Sequence, residues 1–197
     1  MAVTERLTRT QKRALLDLAR DAILVRLSRG TGAVPRILGE ISDPTLTRNC
    51  GAFVSLHVEG ELRGCIGSIH AMNPLHRTVA DMAVAAATGD SRFAPMSSAD
   101  MRYADIEISV LSELSPAGLE DIEVGTHGLL IARKSKRGVL LPQVPTQYGW
   151  DAERFLGETC RKAGLAQDAW RSDADVHIMV FTAEVFSESE LEEDFAP

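Results

Sequence analysis

The stretch Ala52-Phe53-Val54-Ser55-Leu56-His57-Val58-Glu59-Gly60-Glu61-Leu62-Arg63-Gly64-Cys65-Ile66-Gly67 decides how this chain folds. Val54, Leu56 and Val58 alternate with Phe53, Ser55 and His57, the period of two that half-buries a strand. Glu59-Gly60-Glu61 supplies a turn, and a second strand runs from Leu62 to about Ile69. A three-residue turn pairs Val58 with Leu62, Leu56 with Gly64 and Val54 with Ile66, which keeps the apolar set on one face; a one-residue slip mixes the faces. The same register sets His57 opposite Arg63, Ser55 opposite Cys65 and Phe53 opposite Gly67, with His57 diagonal to Cys65. A thiol, an imidazole, a guanidinium and a hydroxyl therefore share one surface.

Working outward, Asn73 and Pro74 read as a cap followed by proline at the first helical position. The helix they open turns Leu75, Val79, Met82, Ala83 and Ala86 inward and stops at Gly89. Upstream, Thr8 or Thr10 caps a helix with Leu15, Leu16, Ala19, Ala22, Ile23 and Leu27 at helical spacing and Gly30 at its end. The intervening 31–49, with two prolines and several turn formers, reads as a loop. Downstream, Ile106, Ile108 and Val110 alternate with Asp105, Glu107 and Ser109 as a half-buried strand. Residues 129–132 and 139–141 flank the basic turn 134–138 as a second hairpin. Asp151 caps a helix carrying Phe155, Leu156, Thr159 and Cys160 and ended by Gly164. Val176, Ile178 and Val180 alternate into a final strand. Hairpins mixed with helices predict an α+β fold, antiparallel sheets with helices packed on them. The stretches 52–89 and 129–164, each a hairpin followed by a helix, are candidates for two related lobes.

A length of 197 residues suits one domain or two small subdomains, and 45% apolar with 25% charged residues is the balance of a globular chain. No apolar run reaches the eighteen or so residues of a membrane helix, and the N-terminus lacks the apolar stretch of a secretory signal. Three cysteines without CxxC spacing argue for reduced thiols in the cytoplasm rather than a disulfide framework or a structural zinc site. A net charge of −7 and an aromatic content of 5% weigh against nucleic acid as a partner. Charge is unevenly placed: the first 29 residues carry seven Arg/Lys against three acids, and 184–194 carries six acids and no base. Both runs read as solvated segments.

The chemistry that Cys65 offers depends on its neighbours. A nearby Arg or protonated His favours the thiolate, the species that attacks electrophiles. Cysteine is also among the most buried residue types, so a thiol in a strand equally fits a small core hydrophobe. Gly64 and Gly67 weaken a strand, which points to a bulge or to close approach of another backbone or a ligand. His57, His70 and His76 lie within twenty residues but lack HxH or HExxH spacing, so no metal set is assigned. Gly125, Gly128 and Gly138 form no phosphate loop.

Leu62-Arg63-Gly64-Cys65-Ile66-Gly67 resembles the hallmark hexapeptide of the AMMECR domain family. Asp90-Ser91-Arg92-Phe93-Ala94-Pro95, Ile106-Glu107-Ile108-Ser109-Val110-Leu111, Arg137-Gly138-Val139-Leu140-Leu141-Pro142-Gln143-Val144 and Gly149-Trp150 resemble its later blocks in order. Cys160, Lys162, Ala163 and Gly164, and the closing Ala183-Glu184-Val185-Phe186, are similar to the bacterial members called AmmeMemoRadiSam system protein A. The resemblance spans roughly 10–190, and ordered motifs are more specific together than one hexapeptide. It implies an α+β fold of two lobes of unequal size; the domain is read as 1–197, single or as two intertwined subdomains, and the charge pattern makes 188–197 an acidic tail. It settles no activity and leaves any cofactor unassigned. It also implies association with a Memo-like protein and a radical-SAM protein in a shared modification pathway. Carried onto matching positions, it adds weight to Arg63, Gly64, Cys65 and Gly67 as a site, with Asp90 and Arg92 as polar partners. Two functions stand side by side: an enzyme or enzyme subunit using Cys65 with His57 and Arg63, and a non-catalytic adaptor whose surface docks a protein.

Overall fold

The computed structural model describes residues 6–30 and 41–193. In chain order the elements are helix α1 (Arg9–Arg29), the short helix α2 (Pro44–Thr47), strands β1 (Ala52–Val58) and β2 (Glu61–Ser68), helix α3 (Leu75–Thr88) and strand β3 (Ala104–Leu111). There follow β4 (Ser115–Pro116), β5 (Gly128–Arg133), β6 (Lys136–Leu140), helices α4 (Gln143–Tyr148), α5 (Ala152–Lys162) and α6 (Ala169–Ser172), strands β7 (His177–Phe181) and β8 (Ala183–Ser187), and helix α7 (Glu188–Glu193). The class is α+β with two four-stranded sheets, ordered β2-β1-β3-β8 and β4-β7-β5-β6. The chain forms two compact units, Met1–Leu111 with Glu184–Pro197, and Ser112–Ala183.

In the first unit, Ala52, Val54 and Leu56 of β1 and Ile106, Ile108 and Val110 of β3 point to one face, where α1 and α3 cover them. Each of the valine, leucine and isoleucine side chains among them contributes about 1.5–3 kcal/mol. Helix α1 starts where the threonine signal places it: the Gln11 amide donates to Thr8 Oγ1 and the Thr8 amide donates back to Gln11 Oε1, a reciprocal cap. Gly30, at φ 82°, ends it. Helix α3 begins one residue later than expected. Pro74 itself is the cap residue, no side chain caps the end, and the Asn73 carbonyl instead accepts from the Cys50 amide. Of the stretch 31–49, expected as a loop, 31–40 lies outside the described residues; the rest contains α2, capped by Asp43.

The two charge runs, expected to be solvated, pair with each other. The acidic run forms β8 and α7 through residue 193, while 194–197 lies outside the described residues. Glu184 pairs with Lys12 at 2.8 Å and accepts from the Leu7 amide at 3.0 Å. Glu188 accepts from Arg20 Nε and Nη2 at 2.6 and 2.5 Å and from the Ile106 amide at 3.0 Å. Phe186 and Leu191 join the core beside them.

In the second unit, Leu129 and Ile131 of β5 and Val180 of β7 pack with Phe155, Leu156 and Cys160 of α5. Asp151 caps α5 by accepting from the Arg154 amide at 2.8 Å. The basic turn is tighter than 134–138: β6 already begins at Lys136, and Lys134 turns with φ 54°. Val176 lies outside β7, which is followed by β8 and so is not the last strand. Both hairpins share one device. A glycine on the second strand, Gly64 or Gly138, admits a helix further along the chain, α3 or α5, so closely that an added Cβ would lie 2.2 Å from the Ala86 carbonyl oxygen or 2.4 Å from that of Thr159.

Candidate functional site

On the face of the first sheet opposite α1 and α3, the cross-strand register builds a row of three polar side chains. Ser55, on the central β1, stands opposite Cys65 of β2 and opposite Glu107 of β3. The next rows hold His57 beside Asp105, and Gly67 with Phe53 and Ser109. The Ser55 hydroxyl donates to Cys65 Sγ at 3.3 Å. Phe53 lays its ring over Gly67, where a Cβ would come within 2.2 Å of it, and an aromatic thereby covers the glycine's bare backbone.

The register departs from expectation at its open end. Glu59 and Gly60 both take positive φ, 54° and 82°, in a two-residue turn whose twist matches the flanking strands. A bulge at Arg63 then absorbs the extra residue, so His57 pairs with Leu62 and Val58 with Glu61 rather than with Arg63 and Leu62. From Leu56–Gly64 to Phe53–Gly67 the pairing is as read. Arg63 is consequently not opposite His57; its charge bears on Asp100, helping to hold that carboxyl below its ordinary value after the stronger hydrogen bonds from Ser97. Gly64 meets the backbone of α3 and Gly67 meets Phe53, so both close approaches are to the chain itself.

Asp90 and Arg92 hold the outer edge of Cys65. Asp90, its side chain 4% exposed, accepts from the Cys65 amide at 2.9 Å and from Arg92 Nε and Nη2 at 2.9 and 2.6 Å. Arg92 Nη2 donates to the Cys65 carbonyl at 3.2 Å. Since β2 is an edge strand, this pair satisfies the two backbone groups that a further strand would otherwise take. Hydrogen bonds from Arg92, above all, hold the Asp90 carboxyl well below the ordinary carboxylate range.

The three cysteines are free and differ in setting. Cys50 and Cys160 are buried, and burial pushes both thiols up; Cys65 is half-buried. Glu107, which pattern reading placed only as an outward residue of its strand, is pushed up by burial, with His57 acting in the opposite direction and Glu190 and Asp105 reinforcing it. His76 is buried, with Nδ1 2.9 Å from the Leu46 carbonyl, and stands apart from this face. Among the described residues, no three His, Cys, Asp or Glu side chains form a metal-holding group, and no helix is long and apolar enough to cross a membrane.

The AMMECR1 family profile matches residues 16–186. A protein of Methanothermobacter thermautotrophicus is 40% identical over 189 residues, covering 92% of this chain and 96% of its own length. A protein of Methanopyrus kandleri is 40% identical over 200 residues, covering 95% of this chain and 93% of its own. The crystal structure of an uncharacterized protein from Pyrococcus horikoshii superposes with a TM-score of 0.77 at 38% identity, covering 90% of this chain and 91% of that one.

Proposed function

The chain belongs to the AMMECR1 family, and from that premise we propose that it serves a modification pathway through the face centred on Cys65, in the reducing cytoplasm. In this reading Cys65 is a nucleophile or the acceptor of a modified group. Memo-like and radical-SAM proteins are its pathway partners, on the strength of the family resemblance. The observation that carries the chemical part is the difference among the thiols. Cys65 alone is half-buried, receives a hydroxyl hydrogen bond at sulfur, and has its backbone locked by a buried carboxylate. Asp90 and Arg92 fix the backbone that carries the thiol, and His57 stands two pairs along the ladder.

Site-resolved alkylation with iodoacetamide from about pH 5 to 9, followed by mass spectrometry, tests this with Cys50 and Cys160 as internal standards. The expected outcome is labelling of Cys65 in the folded chain well ahead of the other two. Labelling of Cys65 only on unfolding would show a core thiol and end the reading.

An adaptor role rests on a different observation: Met72 and Tyr103 of the first unit are 77% and 72% exposed, more than apolar side chains of their size require. On that reading Met72→Ala with Tyr103→Ala weakens capture of a purified Memo-like or radical-SAM protein, and equal capture by the parent chain and the variant refutes it.

A further inference from the structure

The second unit carries a cleft of about 340 Å³ between the start of α5 and the segment 167–171, whose lining includes Glu153, Arg154, Gln167, Asp168, Trp170 and Arg171. That is the lower end of the volumes that hold small ligands, about 300–1,000 Å³. Its two arginines are held very differently. Arg154 Nε pairs at 3.0 Å with Glu158, whose side chain is 6% exposed and also accepts from Arg161 Nη2 at 2.9 Å and Gln167 Nε2 at 3.0 Å. Pulling Arg154 away leaves a buried carboxylate short of a donor, which is costly, so this arginine is part of the wall. Arg171 is 52% exposed and pairs at 2.6 Å with Glu153, itself 56% exposed. An ion pair between two exposed side chains is weak in water and opens at little cost. The Arg171 guanidinium also lies over the Trp170 ring, 4.4 Å from its centroid and within the range of cation–π attraction. Trp170 is packed against the core built from Phe155, Leu156 and Cys160, so the ring is a fixed plate beside a movable cation.

We propose that Trp170 and Glu153 form a recognition seat for an arginine side chain of a partner protein, which enters by displacing Arg171. An aromatic face with a carboxylate beside it is what a guanidinium requires, and Arg171 fills that seat as a tethered occupant. The incoming group stacks on Trp170 and donates to Glu153 as the tethered one does. With Arg171 swung out, the lining holds Asp151, Glu153 and Asp168 against Arg154 alone, an excess of negative charge that favours a cation over a neutral group. Asp151 spends one oxygen on the Arg154 amide, and Asp168 starts α6 without a cap bond from its side chain. Lysine fits less well, because a point charge lacks the flat face that lies along the indole. The tether sets the affinity: an internal occupant is present at high effective concentration, so a free guanidinium binds more tightly once the tether is cut. The inference is independent of any chemistry at Cys65.

The probe is N-acetylarginine amide, with N-acetylcitrulline amide as its neutral counterpart and N-acetyllysine amide as the cation without a flat face. Binding to the full chain is followed at the Trp170 indole N–H by nitrogen-15 correlation spectroscopy. Arg171→Ala is expected to bind the arginine probe about three- to tenfold more tightly than the parent chain does. Glu153→Gln added to Arg171→Ala is expected to lose about three- to fivefold of that affinity. The citrulline probe is expected to leave the Trp170 signal in place, and the lysine probe to bind more weakly than the arginine one. Both substituted side chains are more than half exposed, so the variants keep the fold, which the remaining signals of the spectrum verify. An unmoved Trp170 signal with the arginine probe on Arg171→Ala overturns the proposal, as does an equal response to citrulline or to lysine. Equal affinity of the parent chain and Arg171→Ala overturns it too, since Arg171 is then no occupant of the seat.

Discussion

Gly64 and Gly67 are both tight, but what they touch differs. The Ala86 carbonyl against Gly64 belongs to a helix backbone that cannot yield, whereas the Phe53 ring over Gly67 can swing about its own bonds. Gly64→Ala should therefore cost about 3 kcal/mol and Gly67→Ala about 1 kcal/mol, measured by urea unfolding. Asp90 carries a pH signature. Its carboxyl, held below its ordinary value chiefly by Arg92, binds a proton less tightly in the folded chain than in the unfolded one. Its stabilisation is complete above the usual carboxylate range near pH 4 and is lost as pH falls below it. Asp90→Asn should cost about 2 kcal/mol at pH 7 and progressively less toward pH 3. The pairings of Ser55 with Cys65 and Phe53 with Gly67 were legible because alternation admits one register. The bulge at Arg63 was not, since a tighter turn plus one extra residue leaves the rest of the ladder unchanged. Glu107 was also hidden as a member of the Cys65 row, because β3 reaches β1 only after the chain has passed through α3.

Local signals made most elements readable, whereas stabilisation from afar left no trace in the pattern. Helix α5 carries its start signal in Asp151, and Asp151→Ala should cost about 1 kcal/mol. Helix α7 carries a start signal as well, since Ser187 and Glu190 each donate a backbone amide to the other's side chain at 3.2 Å, but pattern reading passed over it inside the run of acids. It is held by the bonds from Arg20 and Ile106 to Glu188 and by Leu191 in the core. Glu188→Gln keeps the shape but removes the charge, so a loss of about 2 kcal/mol is expected in urea unfolding, against little for Glu192→Gln, whose residue is exposed. Charge runs that look like solvated faces in a linear reading are complementary once α1 and the acidic run share a unit. No count of charges along the chain could reveal that pairing.

At the scale of the whole molecule, the second unit interrupts the first between Leu111 and Glu184. The chains entering and leaving it run side by side: the Ser112 amide donates to the Thr182 carbonyl and the Thr182 amide to Ser112 Oγ, each at 2.9 Å. A short glycine linker can therefore replace 112–183, and all the residues of the Cys65 row lie in the part retained. The shortened chain is expected to unfold cooperatively and to keep the labelling rate of Cys65 within about threefold of the parent; a chain without a cooperative transition would show that the first unit depends on the second. The interruption also sets a schedule for synthesis. Cys65 leaves the ribosome early, but β8 and α7, which complete its sheet and core, follow only after the whole inserted unit. At ribosomal speeds that interval is about 4–14 seconds. During it the inserted unit has everything it needs to fold, while the nascent thiol waits in an unfinished sheet.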